Sequence, residues 1–257
     1  MKYEPTEAQI ENLRPKEGHL LLSGDGVFHT IQGEGDLVGM PTTFIRLQNC
    51  NLSCSWCDSK YTWNKDMPEY YEEPIQVPIE EIIPMVMERQ REKGVEEFIP
   101  EVAITGGEPL IQQKEILNLV ELYPDIRFQI ETNGTVKPSE EILELAYAGR
   151  IKFNCSPKLP NNGMDIKRLV KPEALALINS VPTTVFKFVS ISPQDIEDIE
   201  TYYGKYVDKK KIMIMPEGLT EEANNEHLKA IVGIIIQKGY RITPRLQNSL
   251  FQNRRRF

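Results

Sequence analysis

Hydrophobic and polar positions along the chain follow two periods in turn. Strand-type patterns occupy "TTFIRL" (42–47), "EVAITGG" (101–107), "IRFQIETNG" (126–134), "RIKFNCS" (150–156), "TVFKFVSIS" (184–192) and "KIMIM" (211–215). "YRITPRL" (240–246) closes the series, and Ile126, Phe128 and Ile130 share one face of the third strand. Helical spacing lies between these runs. Ser139 ahead of Glu140 and Glu141 predicts an N-cap and an acidic first turn leading into Ile142 and Leu145. Thr220 ahead of Glu221 and Glu222 opens another helix, with Leu228, Ile231, Val232 and Ile235 at helical spacing. Residues 79–93 share that spacing through Ile79, Ile82, Ile83 and Val86, and Pro84 either kinks this helix or marks its start.

Strands alternating with helices predict parallel βαβ units. About six fit this length, against the eight of a complete TIM barrel. The expected fold is α/β, a partial (open) TIM-like barrel of about six βα units with mainly parallel strands. Residues 1–20 read as a polar leader and 21–257 as a single domain. In such sheets function gathers at the carboxyl ends of the strands. The segments "CNLSCSWC", "TGGEP", "ETNG" and "CSPK" all fall there.

Charge narrows the partners. Thirty Lys and Arg against 38 Asp and Glu leave a net charge of −8, which argues against a nucleic-acid binder, and the closing "NRRRF" reads as a solvated end. No apolar run approaches a membrane span, and the amino terminus is too polar and acidic for a secretory signal, so a cytoplasmic location is expected. In a reducing compartment the four cysteines are not expected to form structural disulfides. Three of them, Cys50, Cys54 and Cys57, crowd into eight positions, which points to a soft metal.

Zinc and iron–sulfur compete for such a site. A structural zinc ion wants four ligands, and Cys155 is available in principle as the fourth. Zinc modules, however, usually present two paired knuckles, and Cys155 lies at a strand end where a small buried cysteine is a common core residue. A cubane cluster normally takes four thiolates, so three from one loop leave one iron open to a ligand that is not protein. An open iron serves chemistry.

The spacing C-x3-C-x2-C with Trp56 before its last cysteine resembles the radical S-adenosylmethionine superfamily. The stretch "FHTIQGEGDLVGMPTTFIRLQNCNLSCSWCDSKYTW" (28–63), with "TGGEPL", "ETNGT", "SPK" and "MPEG", is similar to the 7-carboxy-7-deazaguanine synthase family. That resemblance implies a [4Fe-4S] cluster on Cys50, Cys54 and Cys57, and S-adenosylmethionine bound at its open iron. Reductive cleavage of the sulfonium then gives a 5′-deoxyadenosyl radical that takes hydrogen from C6 of 6-carboxy-5,6,7,8-tetrahydropterin. Ring contraction follows, hydrogen returns to the cofactor, and ammonia is lost.

By the same resemblance Trp56, Cys57, Asp58 and Gly107 line the cofactor, with Ser156, Pro157 and Lys158, and more weakly Ile214, Met215, Pro216 and Glu217. Ile31, Gln32, Gly33, Glu34, Arg46 and Thr105 surround the pterin. Arg46 suits its carboxylate as a two-pronged donor, and Glu34 suits the N–H edge of its aminopyrimidinone. Taken singly, a surface arginine and a tight turn are the ordinary readings of Arg46 and "QGEG". Ser59 stands where the family holds Mg²⁺ by a hydroxyl, and Gln247 and Phe257 stand where its closing segment reaches the substrate. Relatives often carry a histidine near position 247. A homodimer and a flavodoxin- or ferredoxin-type electron donor are implied as partners. Two other readings are another radical S-adenosylmethionine enzyme such as a glycyl-radical activase, which shares the triplet but does not need "QGEG" and Arg46, and a non-catalytic zinc protein using all four cysteines.

Overall fold

In the computed structural model, which describes residues 3–252 and 254, the chain begins with α1 (Glu7–Asn12), β1 (His19–Ile31) and β2 (Pro41–Leu47). It continues through α2 (Glu69–Glu72), β3 (Ile75–Pro78), α3 (Ile79–Glu92), β4 (Glu101–Gly106), α4 (Gln113–Leu122) and β5 (Arg127–Thr132). Then come α5 (Glu140–Tyr147), β6 (Ile151–Cys155), α6 (Ile166–Leu169), α7 (Pro172–Ser180), β7 (Val185–Ser190) and α8 (Pro193–Asp198). The last elements are β8 (Ile212–Pro216), α9 (Glu221–Lys238), β9 (Arg241–Ile242) and α10 (Leu246–Phe251).

All strands join one sheet in the order β3-β1-β2-β4-β5-β6-β7-β8-β9, and from β2 onward every pairing is parallel. Every strand expected from the pattern is present. The order ends at β3 and β9, so the barrel is open, as expected. Two strands had no expectation. β1 runs antiparallel to β2 and β3 and extends the sheet past the parallel set. No helix among the described residues is long and apolar enough to cross a membrane.

Successive side chains of a strand point to opposite faces. On the outer face Ile45, Ile104, Phe128, Ile130, Phe153, Phe186, Phe188 and Ile214 meet helical residues such as Ile82, Val86, Ile116, Leu119, Ile142, Leu175, Ile178, Ile231 and Ile235 in one core. Ser139 caps α5 and Thr220 caps α9 through their hydroxyls, at 3.3 and 3.2 Å from the backbone N of Ile142 and Ala223. Pro84 lies inside α3 and not at its start. The carbonyl it cannot pair, that of Glu80, accepts from the Tyr123 hydroxyl at 2.9 Å. Tyr123→Phe should therefore cost about 0.5–1 kcal/mol in a urea-unfolding measurement, water replacing part of the lost bond.

The inner face mixes polar and apolar side chains. Its lower part is filled by the 32–40 connection, because Ile31 pairs with Pro41 at the amino-terminal mouth of the parallel strands. From there Gln32 Nε2 donates to Gln129 Oε1 (2.7 Å) and Glu131 Oε1 (3.0 Å), and Gly35 N donates to Thr243 Oγ1 (2.7 Å). "QGEG" thus rises into the barrel from the mouth opposite the cysteine loop and forms a floor.

Candidate active site

Above that floor a cavity of about 290 Å³ opens at the carboxyl ends of the strands. Residue parity decides what lines it. Phe44 and Arg46 of β2, Thr105 of β4, Glu131 of β5, Lys187 and Val189 of β7 and Met215 of β8 face inward.

Cys50, Cys54 and Cys57 lie on one wall, in the loop that follows β2. Cys54 is buried with Leu52 and Leu169, and Cys50, Cys57, Met164 and Ile166 pack around them. Each sulfur has a polar neighbour. Asn162 Nδ2 is 3.3 Å from Cys54 Sγ, Leu52 N is 3.5 Å from Cys50 Sγ, and Ser59 Oγ is 3.7 Å from Cys57 Sγ. Among the described residues no three His, Cys, Asp or Glu side chains converge on a point where one ion could touch them all. Three thiols facing one cavity, each with a polar neighbour, fit the ligand set of a cubane cluster. Cys155 is fully buried at the end of β6 in the main core, apart from this wall, so the four-cysteine zinc arrangement lacks its fourth ligand. Burial pushes the Cys50 thiol up to about 12.

"TGGEP" is the bracket of the loop. Gly107 N donates to Leu47 O (2.9 Å) and Glu108 N to Asn49 O (2.8 Å). A Cβ on Gly107 would sit 1.9 Å from the Asn49 carbonyl oxygen. The close approach that requires glycine is therefore to the protein's own backbone, one residue before Cys50. Glu108, fully buried, accepts from Thr132 Oγ1 (2.7 Å), Asn133 N (2.7 Å) and Leu110 N (3.1 Å), tying β4 to the "ETNG" turn. Burial raises its pKa. Beside the cysteine loop Trp56 Nε1 donates to Asn161 Oδ1 (3.3 Å), and Lys158 Nζ lies 5.6 Å from the centroid of the Trp56 ring.

Glu34 is the charged centre of the floor. Lys187 donates to its Oε2, Gln247 Nε2 to its Oε1 (2.6 Å), and Arg245 Nε lies 3.3 Å from Oε1. Arg245 also reaches Asp58 Oδ2 (2.5 Å) and Gly218 O (2.6 Å), linking the floor, the cysteine loop and the closing segment. Burial would raise the Glu34 pKa, but the charges of Lys187 and Arg245 and the bonds from Lys187 and Gln247 bring it down to about 2. Because the folded value lies below the unfolded one, Glu34 stabilises the fold fully above about pH 4.5, and that contribution is lost as pH falls toward 2. Unfolding of the chain and of Glu34→Gln followed from pH 6 to 3 should show the parent losing stability more steeply on acidification.

Of the expected residues, Ile31, Gln32, Gly33, Glu34, Arg46, Trp56, Asp58, Ser59, Thr105, Gly107, Ser156, Lys158, Met215 and Gln247 line the cavity with the three cysteines. Pro157, Ile214, Pro216 and Glu217 do not, since the Ile214 side chain belongs to the core and the Glu217 carbonyl accepts from His227 Nδ1 (2.7 Å). Phe257 lies outside the described residues. Sequence reasoning missed Glu131, Lys187 and Arg245. Lys187 had a signal, since a lysine at the centre of the otherwise apolar stretch "VFKFV" is expected to be buried and so to require a carboxylate.

Known proteins resemble this chain. The family model described as Radical SAM superfamily matches residues 44–231. The 7-carboxy-7-deazaguanine synthase of Pyrobaculum aerophilum is 30% identical over 89% of this chain and 94% of its own. That of Rhodopirellula baltica is 31% identical over 98% and 95%. The crystal structure of QueE from Escherichia coli superposes with a TM-score of 0.65 at 24% identity, over 91% of this chain and 100% of that one, and shows the same fold. The cysteine wall, the glycine bracket and these relatives agree: the chain belongs to the radical S-adenosylmethionine superfamily and, within it, to the 7-carboxy-7-deazaguanine synthase family.

Proposed function

We propose that this cavity converts 6-carboxy-5,6,7,8-tetrahydropterin to 7-carboxy-7-deazaguanine with loss of ammonia. The observation that carries the reading is that Arg46 and Glu34 share one cavity with the three thiols. When bound, a [4Fe-4S] cluster on Cys50, Cys54 and Cys57 with S-adenosylmethionine supplies reversible removal of a hydrogen atom from carbon. The rest falls to this chain's own groups.

Arg46 presents its guanidinium as a fork for the substrate carboxylate, with Cζ 5.2 Å from the Phe28 ring centroid, so the aromatic face orients it. Glu34 stays ionised and accepts from the N–H edge of the pterin, because a carboxylate has about four acceptor positions and its protein partners occupy fewer. Gln247, where relatives often carry histidine, holds Glu34 in place and moves no proton. Leu246 N donates to Gly33 O (3.0 Å), docking the closing segment over the floor and helping to exclude water. A Cβ on Gly33 would lie 1.8 Å from Gln247 Oε1 and 3.0 Å from Gln247 N, so a larger residue there would push the Gln247 side chain off Glu34.

Trp56, Asp58, Gly107, Ser156 and Lys158 would surround S-adenosylmethionine. Ser59, buried with its hydroxyl 3.2 Å from Asp58 Oδ1, offers hard oxygen donors that fit a sparsely liganded Mg²⁺ completed by substrate and water. A one-electron donor of flavodoxin or ferredoxin type and a homodimer complete the reading. Anaerobic incubation of the reduced chain with S-adenosylmethionine and 6-carboxytetrahydropterin, and no second protein substrate, should yield 7-carboxy-7-deazaguanine and ammonia. Absence of that product from a cluster-loaded sample overturns the reading and leaves the glycyl-radical activase as the next to test.

A further inference from the structure

We propose that Asn162 is a positioning residue that raises the reduction potential of the cluster by donating a hydrogen bond to the Cys54 sulfur. The proposal rests on the cluster reading and adds a residue to which the sequence motifs assign nothing. Asn162 closes the Pro160–Asn162 turn beyond β6 and is only 1% exposed, so water does not compete for its amide. Its Nδ2 stands 3.3 Å from Cys54 Sγ. Its Oδ1 accepts from Met164 N at 2.9 Å, which fixes the amide orientation. The flipped amide would set oxygen against sulfur and N–H against N–H. Its backbone carbonyl accepts from Ser55 N at 3.0 Å, so one residue grips two consecutive positions of the cysteine loop.

The surroundings make this bond matter. Leu52 and Leu169 are buried with Cys54, and Met164 and Ile166 pack on them, so the sulfur lies in an apolar setting where a single N–H dipole acts strongly on nearby charge. The contacts to the other two sulfurs are longer, 3.5 Å from Leu52 N to Cys50 Sγ and 3.7 Å from Ser59 Oγ to Cys57 Sγ. One electron from an external one-electron donor takes [4Fe-4S]²⁺ to [4Fe-4S]⁺ and adds one negative charge shared with the thiolates. A donor aimed at Sγ favours the reduced state, and cluster potentials follow hydrogen bonding to sulfur and exclusion of solvent.

The test is a redox titration followed by electron paramagnetic resonance, on anaerobically reconstituted parent, Asn162→Leu and Asn162→Ala, without S-adenosylmethionine. Iron and sulfide per chain are measured on the same samples. Both variants should hold as much iron as the parent and show a midpoint potential shifted negative, beyond the scatter of repeat titrations. Should the Leu variant load less iron, the Ala variant, which adds no bulk and keeps the backbone bond to Ser55, carries the same reading. An unmoved potential in a fully loaded variant overturns the role of Asn162 alone. A parent chain that holds no iron overturns the cluster reading as well.

Discussion

Gly107→Ala should lose most of its iron and unfold at lower denaturant. The new methyl would stand 1.9 Å from the Asn49 oxygen, 2.4 Å from its carbonyl carbon and 3.0 Å from Cys50 N. All three are backbone atoms, so no rotamer change relieves the contact. Either the end of β4 retreats, breaking the bonds from Gly107 N to Leu47 O and from Glu108 N to Asn49 O, or the loop carrying Cys50 moves. Overpacking of this kind costs about 1–3 kcal/mol when side chains can yield, and the upper end is expected here. The companion change is Gly233→Ala in the exposed middle of α9, where an added Cβ meets nothing within 4 Å. It should stabilise the chain by about 0.4–1 kcal/mol and leave iron content alone. Iron assay and urea unfolding on the two variants separate damage to the bracket from the general effect of adding a methyl.

Lys187→Met should be as severe for turnover. The ammonium is buried inside the sheet, where burial pulls its pKa down but Glu34 and Glu131 more than restore it, so it carries its charge at neutral pH. Removing it leaves the Glu34 carboxylate with Arg245 as its remaining cation, and loss of one partner from a buried pair costs about 3 kcal/mol or more. The double variant Lys187→Met with Glu34→Gln removes both charges and should recover much of the stability. It should not recover turnover, because Glu34 then no longer offers its carboxylate to the pterin edge. Unfolding midpoints together with kcat/KM for the two single variants and the double one close the cycle. Equal recovery of stability and activity would mean that Glu34 serves the fold alone.

The parallel strands were legible because each repeats its pattern cleanly, as Ile126, Phe128 and Ile130 do on one face of β5. β1 was not, for a local reason. "SGDG" interrupts its alternation, and the structure carries a register shift there, with Leu22 opposite Leu47 and Val27 opposite Ile45. β3 is only four residues long and leads straight into α3, so it gave no period to read. The cysteine loop, "TGGEP" and "QGEG" were legible as motifs, but their geometry was not. Sequence order does not say that "QGEG" enters from the opposite mouth, which follows from β1 running against its neighbours. Nor does it say that the glycine pair presses on Asn49. The pairings of Lys187 and Arg245 stayed hidden because their partners, Glu34 and Asp58, are more than 150 residues away along the chain.

The open iron is tested most directly by electron–nuclear double resonance on the reduced, anaerobically reconstituted chain mixed with isotope-labelled S-adenosylmethionine. About four iron atoms per chain are expected, with coupling between the cluster and the labelled amine and carboxylate of the added molecule. Zinc in place of iron, or a cluster whose signals ignore S-adenosylmethionine because this chain fills every coordination position, would contradict the account.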